Sequence, residues 1–243
     1  MLIVSLLFRT LGLCGLLIVA SNTLAASFSV KPTRIFLKDV PQAVLTVGNA
    51  SASDIFIQTE LVAWTQQDGK DVYTTSREVL VSPPMFKIPA GGEQTVRVRF
   101  MKGEATKLER TYRLFLQEVP QAKLDKSILS TTLRMGVPIF IQPDKSDPAL
   151  FEWQAVRSTD GITVQLKNTT NSHIQFTGLK LSTPDGKALS DEKVFVYVLA
   201  GQSYSWNIKL KQPYMGNKLL LQASSDRDEI NATIESIAPI AAP

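Results

Sequence analysis

Two tandem all-β domains, each an immunoglobulin-like β-sandwich, are what this sequence predicts. Three observations carry the prediction. Short segments of alternating or β-branched residues recur along the chain, turn residues separate them at close intervals, and a proline-containing charged stretch divides them into two sets. With 243 residues, 44% of them hydrophobic, the chain has enough apolar side chains to fill one or two cores.

The first stretch, "MLIVSLLFRTLGLCGLLIVASNTLAAS", has one basic residue, Arg9, then a Leu/Ile/Val-rich run and small residues around Thr23 and Ala25. This is the layout of a cleavable signal peptide over residues 1–25, cut after Ala25 or Ala26. Arg9 interrupts the apolar run and a cleavage site follows it, which argues against an uncleaved anchor. No later segment is long and apolar enough for membrane insertion. Cys14 is the only cysteine, so the mature chain has no disulfide and its cores must hold it unaided.

Residues 26–143 read as the first domain. Its strand segments are "SFSVKPTRIFL", "AVLTVGNA", "DIFIQTELVAW", "DVYTTSREVLVS", "QTVRVRF", "TYRLFLQEV" and "LRMGVPIFIQP". Pro41, Gly48-Asn49, Asp68-Gly69, Pro83-Pro84, Gly91-Gly92 and Pro120 punctuate them. A linker, "QPDKSDPAL", follows, and residues 144–243 read as the second domain. That domain contains "FEWQAVRS", "GITVQLKN", "IQFTGLKLS", "KVFVYVLA", "SYSWNIKL", "NKLLLQAS" and "EINATIESIAP", with hairpin signals at Asp160-Gly161 and Asp185-Gly186.

Catalytic chemistry has few candidates. His173 is the only histidine and reads as a surface or turn residue, because without a mature cysteine it can neither anchor a zinc site nor serve a Cys–His pair. No glycine loop with a lysine cradles phosphate, and the carboxylates of Asp68, Asp71, Asp191 and Glu192 fall in turns. No cofactor is expected. The formal charge of +4 is modest and its Lys and Arg residues are scattered, so a nucleic-acid partner is not expected either. Asn49, Asn168 and Asn231 begin N-x-[ST] sequons, a pattern too frequent to decide anything.

The segment "VLVSPPMFKIPAGGEQTVRVRF" resembles the first domain of the periplasmic chaperones of the chaperone–usher pathway of pilus assembly, in which a double-proline bend, an apolar residue, a glycine turn and an alternating strand follow in order. "VKPTRIFL", "YRLFLQEVP" and "MGVPIFIQP" are similar to other strands of that domain, and "LKNTTNSHIQFTGLKL" with "VFVYVLAGQSYSW" to the second. The resemblance implies two immunoglobulin-like domains at an angle with a cleft between them. It also implies a non-catalytic protein of the periplasm that lends a strand to a pilin-like subunit and passes it to an outer-membrane usher. Self-association of the free chaperone could hide the lending edge. The "VPIFIQP" form looks more like the archaic or non-classical branch of the family.

A lent strand must present alternate side chains to the groove that it fills. Between Ser127 and Ile141 one parity is mostly apolar, and Leu129, Thr131, Leu133 and Met135 are the expected donor residues, with Val137, Ile139 and Ile141 facing the protein's own core. The resemblance also implies basic residues that hold the subunit's C-terminal carboxylate. One falls on Arg34; the other position, a lysine in the usual pattern, is Pro138 here, which leaves Arg134 on the same strand or Arg113 on its neighbour to supply the charge. The competing reading is an exported immunoglobulin-like adhesin or carbohydrate-binding module, with Trp64, Trp153 and Trp206 as a ligand platform. An exported hydrolase ranks third.

Overall fold

Alternation along the strands decides which side chains go inward, and punctuation decides where the chain changes sheet. The computed structural model describes residues 28–38, 40–101, 107–120, 132–145, 147–148 and 150–239. The expected leader, with Cys14, lies outside these residues, as do Leu129 and Thr131. All described elements are strands.

The first ten strands are β1 (Phe28–Lys31), β2 (Ile35–Leu37), β3 (Gln42–Asn49), β4 (Ile55–Gln67), β5 (Lys70–Thr75), β6 (Val79–Ser82), β7 (Met85–Ile88), β8 (Glu93–Phe100), β9 (Arg110–Glu118) and β10 (Arg134–Ile141). One sheet has the order β1-β3-β8-β6. The other runs β2-β10-β9-β4-β5, with β7 also on β4. The prolines and glycines mark crossings between the two. Pro32 separates β1 from β2, Pro83-Pro84 separate β6 from β7, and the Gly91-Gly92 turn returns the chain to the first sheet at β8. Gly91 has φ of 67°, which favours glycine. Asp68 and Gly69, both at positive φ, form the two-residue turn that joins β4 to β5.

Alternate residues of facing strands fill the first core: Leu45 and Val47, Val96 and Val98, Leu114 and Leu116, Val137 and Ile139 are all buried. Val137, Ile139 and Ile141 thus face inward as their parity predicts.

A second group of strands follows: β11 (Phe151–Ser158), β12 (Gly161–Asn168), β13 (Ile174–Ser182), β14 (Ala188–Val198), β15 (Ser203–Lys209), β16 (Leu219–Ser225), β17 (Glu229–Ile234) and β18 (Ile237–Ala238). These make sheets of order β15-β12-β11-β18 and β14-β13-β16-β17 around a separate core that includes Val164, Leu166, Phe176, Leu179, Trp206 and Leu221. The molecule is therefore two immunoglobulin-like β-sandwiches in tandem. The β11–β12 turn falls on Thr159 and Asp160, one residue earlier than the Asp160-Gly161 signal suggests, because Ser158 pairs with Gly161. Glycine is needed there for another reason: a Cβ at residue 161 would lie 2.0 Å from the Ile208 carbonyl oxygen.

Both domains carry the same internal peg. At the end of β3, Asn49 donates to the carbonyls of Ser53, Ile88 and Pro89 and accepts from the Ser51 N–H. At the end of β12, Asn168 donates to Ser172, Val198 and Leu199 and accepts from the Thr170 N–H. Two of the three sequons therefore begin at buried asparagines that satisfy strand-end backbone.

Candidate functional site: a basic cleft between the domains

Strand β10 is apolar on both parities, and its two faces have different partners. Ile139 and Ile141 enter the first core, whereas Phe140 points the other way and forms a small cluster with Trp64 and with Leu199 of the second domain, bordered by Tyr197. Polar contacts surround this joint. Gln66 donates through Nε2 to the Tyr197 carbonyl at 2.8 Å and accepts the Leu199 N–H at 3.0 Å. Arg227 donates to the His173 carbonyl.

His173 itself is a correction to the sequence reading. It lies in the loop before β13, as a turn residue would, but it is buried instead of at the surface. Its ring stacks on Phe140 with centroids 3.6 Å apart, and Nδ1 is 2.6 Å from Glu109 Oε1, an atom that also accepts the His173 backbone N–H.

Beside the joint opens a cleft of about 790 Å3 that brings Arg34 and Arg113 together with Trp64, Asp71, Pro138 and Tyr197. Arg34 follows the Pro32 bend and reaches across the domains, donating to Asp226 Oδ2 at 2.8 Å and Gln175 Oε1 at 3.1 Å. Arg113 stands opposite Pro138 in the β9–β10 pairing. Its guanidinium carbon is 3.9 Å from the Trp64 ring centroid, and Nη1 is 3.7 Å from Asp71 Oδ2. The Arg113 Nε–H is buried and has no hydrogen-bond partner among the described residues. Gly136, on the cleft wall, leaves room for this: a Cβ there would come within 3.2 Å of the Arg113 side chain. Burial pushes the Tyr197 phenol above its ordinary range, against the pull of Arg34, so it remains an O–H donor on the cleft wall. Tyr73, which also faces the Arg113 guanidinium, is raised by burial in the same way.

Arg134, the other candidate for the second charge, is outside this group. It pairs with Glu60 at 3.0 Å and stacks on Phe115 on the exposed face of the same sheet. Of the donor residues, Leu133 and Met135 are described, and both are half-buried against the first core instead of standing free. The open part of the strand is its backbone. β2 pairs only with Ile139–Ile141, and among the described residues no strand covers that edge of β10 from Arg134 to Pro138. The tryptophans form no platform: Trp64 and Trp206 are buried, and Trp153 packs against the second core.

Residues 27–147 match the model of the pili and flagellar-assembly chaperone family, PapD N-terminal domain. The chain belongs to this family of chaperones. Among curated proteins, the chaperone resembles the Escherichia coli chaperone protein FaeE, 29% identical over 194 residues that cover 73% of this chain and 71% of that one. The E. coli fimbrial chaperone YcbF, itself uncharacterized, is 25% identical over 193 residues, 76% of this chain and 78% of that one. The fold matches a chain of the CsuC–CsuE chaperone–tip adhesion subunit complex from archaic Csu pili of Acinetobacter baumannii, with TM-score 0.64 at 20% identity, over 88% of this chain and all of that one (100%). The complex of Salmonella enterica SafA pilin with the SafB chaperone matches with TM-score 0.61 at 16% identity, over 87% of this chain and 98% of that one. These relatives are chaperones, and the protein is a fimbrial assembly chaperone, not an enzyme.

Sequence reasoning missed His173, Glu109 and Gln66 as joint residues. The available signal was Phe140: a strand apolar on both parities needs a partner on both faces, and one sandwich core supplies only one.

Proposed function

We propose that the protein works in the periplasm, binds a pilin-like subunit that lacks the last strand of its own sandwich, lends it the edge of β10, and delivers it to an outer-membrane usher. One observation carries the reading: among the described residues no strand covers the edge of β10 from Arg134 to Pro138, beside a cleft with two arginines. An incomplete sandwich exposes apolar core and unpaired backbone, and an added strand satisfies both at once. Residues 26–143 serve as the lending domain and 144–243 as the second wall of the cleft. The expected donors Leu129, Thr131, Leu133 and Met135 sit before and at the start of the open edge. Arg34 and Arg113 hold the subunit's terminal carboxylate, with Arg113 in the place of the missing lysine; Arg134 does not take part. Because the subunit's final partner is another strand, no nucleotide or cofactor is required.

The test separates the two candidate arginines. With a pilin-like subunit co-expressed, Arg113→Ala should reduce recovered complex by about tenfold or more, as expected for loss of one partner of a desolvated charge pair. Arg134→Ala should leave recovery near wild type. Full recovery with Arg113→Ala would remove that residue from the anchor.

A further inference from the structure

A terminal carboxylate held by Arg34 and Arg113 fills only a small part of a cleft of about 790 Å3. The second domain bounds the rest with aromatic rings: Phe195 and Tyr197 on β14 and Tyr204 on β15 all line it. Phe195 is 78% exposed. A lone exposed apolar residue needs no explanation, but this one stands at a cleft and joins a chain of rings that leads to the anchor. Phe195 meets Tyr197 nearly edge-on at 6.5 Å, Tyr197 meets Trp64 edge-on at 5.5 Å, and Trp64 carries the Arg113 guanidinium. A line of rings thus leads from the lip of the second domain to the cation in the first, with Phe195 exposed, Tyr197 half-buried and Trp64 buried beneath them.

The charge of the cleft restricts what can lie along those rings. Arg34, Lys70 and Arg113 line it with one acid, Asp71, while a second, Asp226, pairs with Arg34 from outside the lining. An occupant with a negative end near Arg113 and an apolar group toward Phe195 matches both features, and a chain terminus with an aromatic last residue has both within one residue. Ring edges and faces at these spacings favour a further ring over a branched aliphatic side chain.

We propose that Phe195, with Tyr197, is the seat for the side chain of the bound subunit's C-terminal residue, and that this residue is aromatic. The seat rests on the carboxylate being held at the arginines. It makes the second domain a selector of subunits and not only a wall.

The probes are N-acetylated pentapeptides ending in Phe or Ala, each as free acid and as amide, titrated calorimetrically into the protein purified from an exporting host. The Phe acid should bind about tenfold more tightly than the Ala acid, and Phe195→Ala should abolish that difference while its melting temperature stays at the wild-type value. Phe195→Trp should keep it. Equal binding of the two acids to wild type overturns the seat and leaves the carboxylate reading standing. Equal binding of acid and amide overturns the carboxylate reading and the seat with it. Dimerisation of the protein that is lost in Phe195→Ala, with peptide affinity unchanged, would assign the lip to a second copy and also overturn the seat.

Discussion

Arg34 holds Asp226 at 2.8 Å in the free molecule, so a carboxylate from a partner must share or displace that contact. The pair spans the domains, with side chains 35% and 14% exposed, and at that exposure it contributes about 1 kcal/mol or less to stability. Capture and stability therefore separate. Arg34→Ala should lower the thermal melt slightly while reducing subunit recovery by about tenfold or more. Asp226→Asn should lower the melt by a similar small amount but leave recovery at or above wild type, because it releases Arg34 from its internal competitor. Co-purification of each variant with subunit, alongside its melting curve, checks both; equal loss of recovery in the two variants would make the pair a strut and not a binding site. At this scale the expectation for Arg34 came from its local motif, whereas which of Arg113 and Arg134 lines the cleft was not legible. Both arginines lie on strands whose alternation is clear, but only the cross-strand register places Arg113 opposite Pro138 and beside the cleft. Asn49 and Asn168 were illegible for a related reason. Their sequons are local, but the carbonyls they bind lie about a strand or more away, at Ile88 and Val198.

Strand β10 divides by element partner into a part that β2 covers, Ile139–Ile141, and a part that it does not, Arg134–Pro138, but burial begins earlier, at Val137. Val137 is 2% exposed in the core, while Leu133 sits half-buried at its rim. A rim side chain can serve its own fold in part and a partner's groove for the remainder, which revises the simpler expectation that Leu133 is free until a subunit arrives. Leu133→Ser should therefore cost about 1–2 kcal/mol of the protein's own stability and a further share of the complex. Val137→Ala should cost a similar amount of stability by leaving a cavity, with no additional loss of binding. Denaturant melts and subunit recovery, measured on both variants, give the comparison: recovery that falls in proportion to stability in both would put Leu133 wholly in the core. The elements themselves were legible because punctuation has a physical job here. Most proline or glycine pairs read as turns mark either a hairpin or a passage between sheets, Pro83-Pro84 and Gly91-Gly92 being passages, whereas Gly48-Asn49 is the paired end of β3 itself. The sequence could not show how much of the edge of β10 is covered, since β2 pairs with only three residues of β10 and no pattern in β10 marks where the pairing stops.

Each sandwich has its own core, so the shape of the cleft depends on what couples them: the Trp64, Phe140 and Leu199 cluster and the polar contacts around it. The His173–Glu109 contact is the most enclosed of these, with both side chains 1% exposed. It was invisible in the sequence because its partners are 64 residues apart in different domains. Removing the imidazole does more than delete a hydrogen bond. Among the described residues Glu109 would keep the backbone N–H of residue 173 as its one side-chain donor while remaining buried, and Phe140 would lose the ring stacked on it. For a buried pair stripped of one partner the cost is about 3 kcal/mol or more. That cost falls on the joint, since the pair links the two domains and His173 stacks on Phe140 there. His173→Ala should therefore uncouple the domains while leaving each folded: calorimetry should show two unfolding transitions where the wild type shows one, and small-angle scattering should report a larger radius of gyration. Glu109→Gln keeps the size and an acceptor oxygen, so it should fall between the two. Subunit recovery should follow the scattering, because Arg34 and Arg113 meet Phe195 and Tyr197 across one cleft only while the joint fixes the angle. A His173→Ala protein that melts in one transition at the wild-type temperature, with unchanged scattering, would show that the apolar cluster alone sets the angle and that the buried pair is incidental to it.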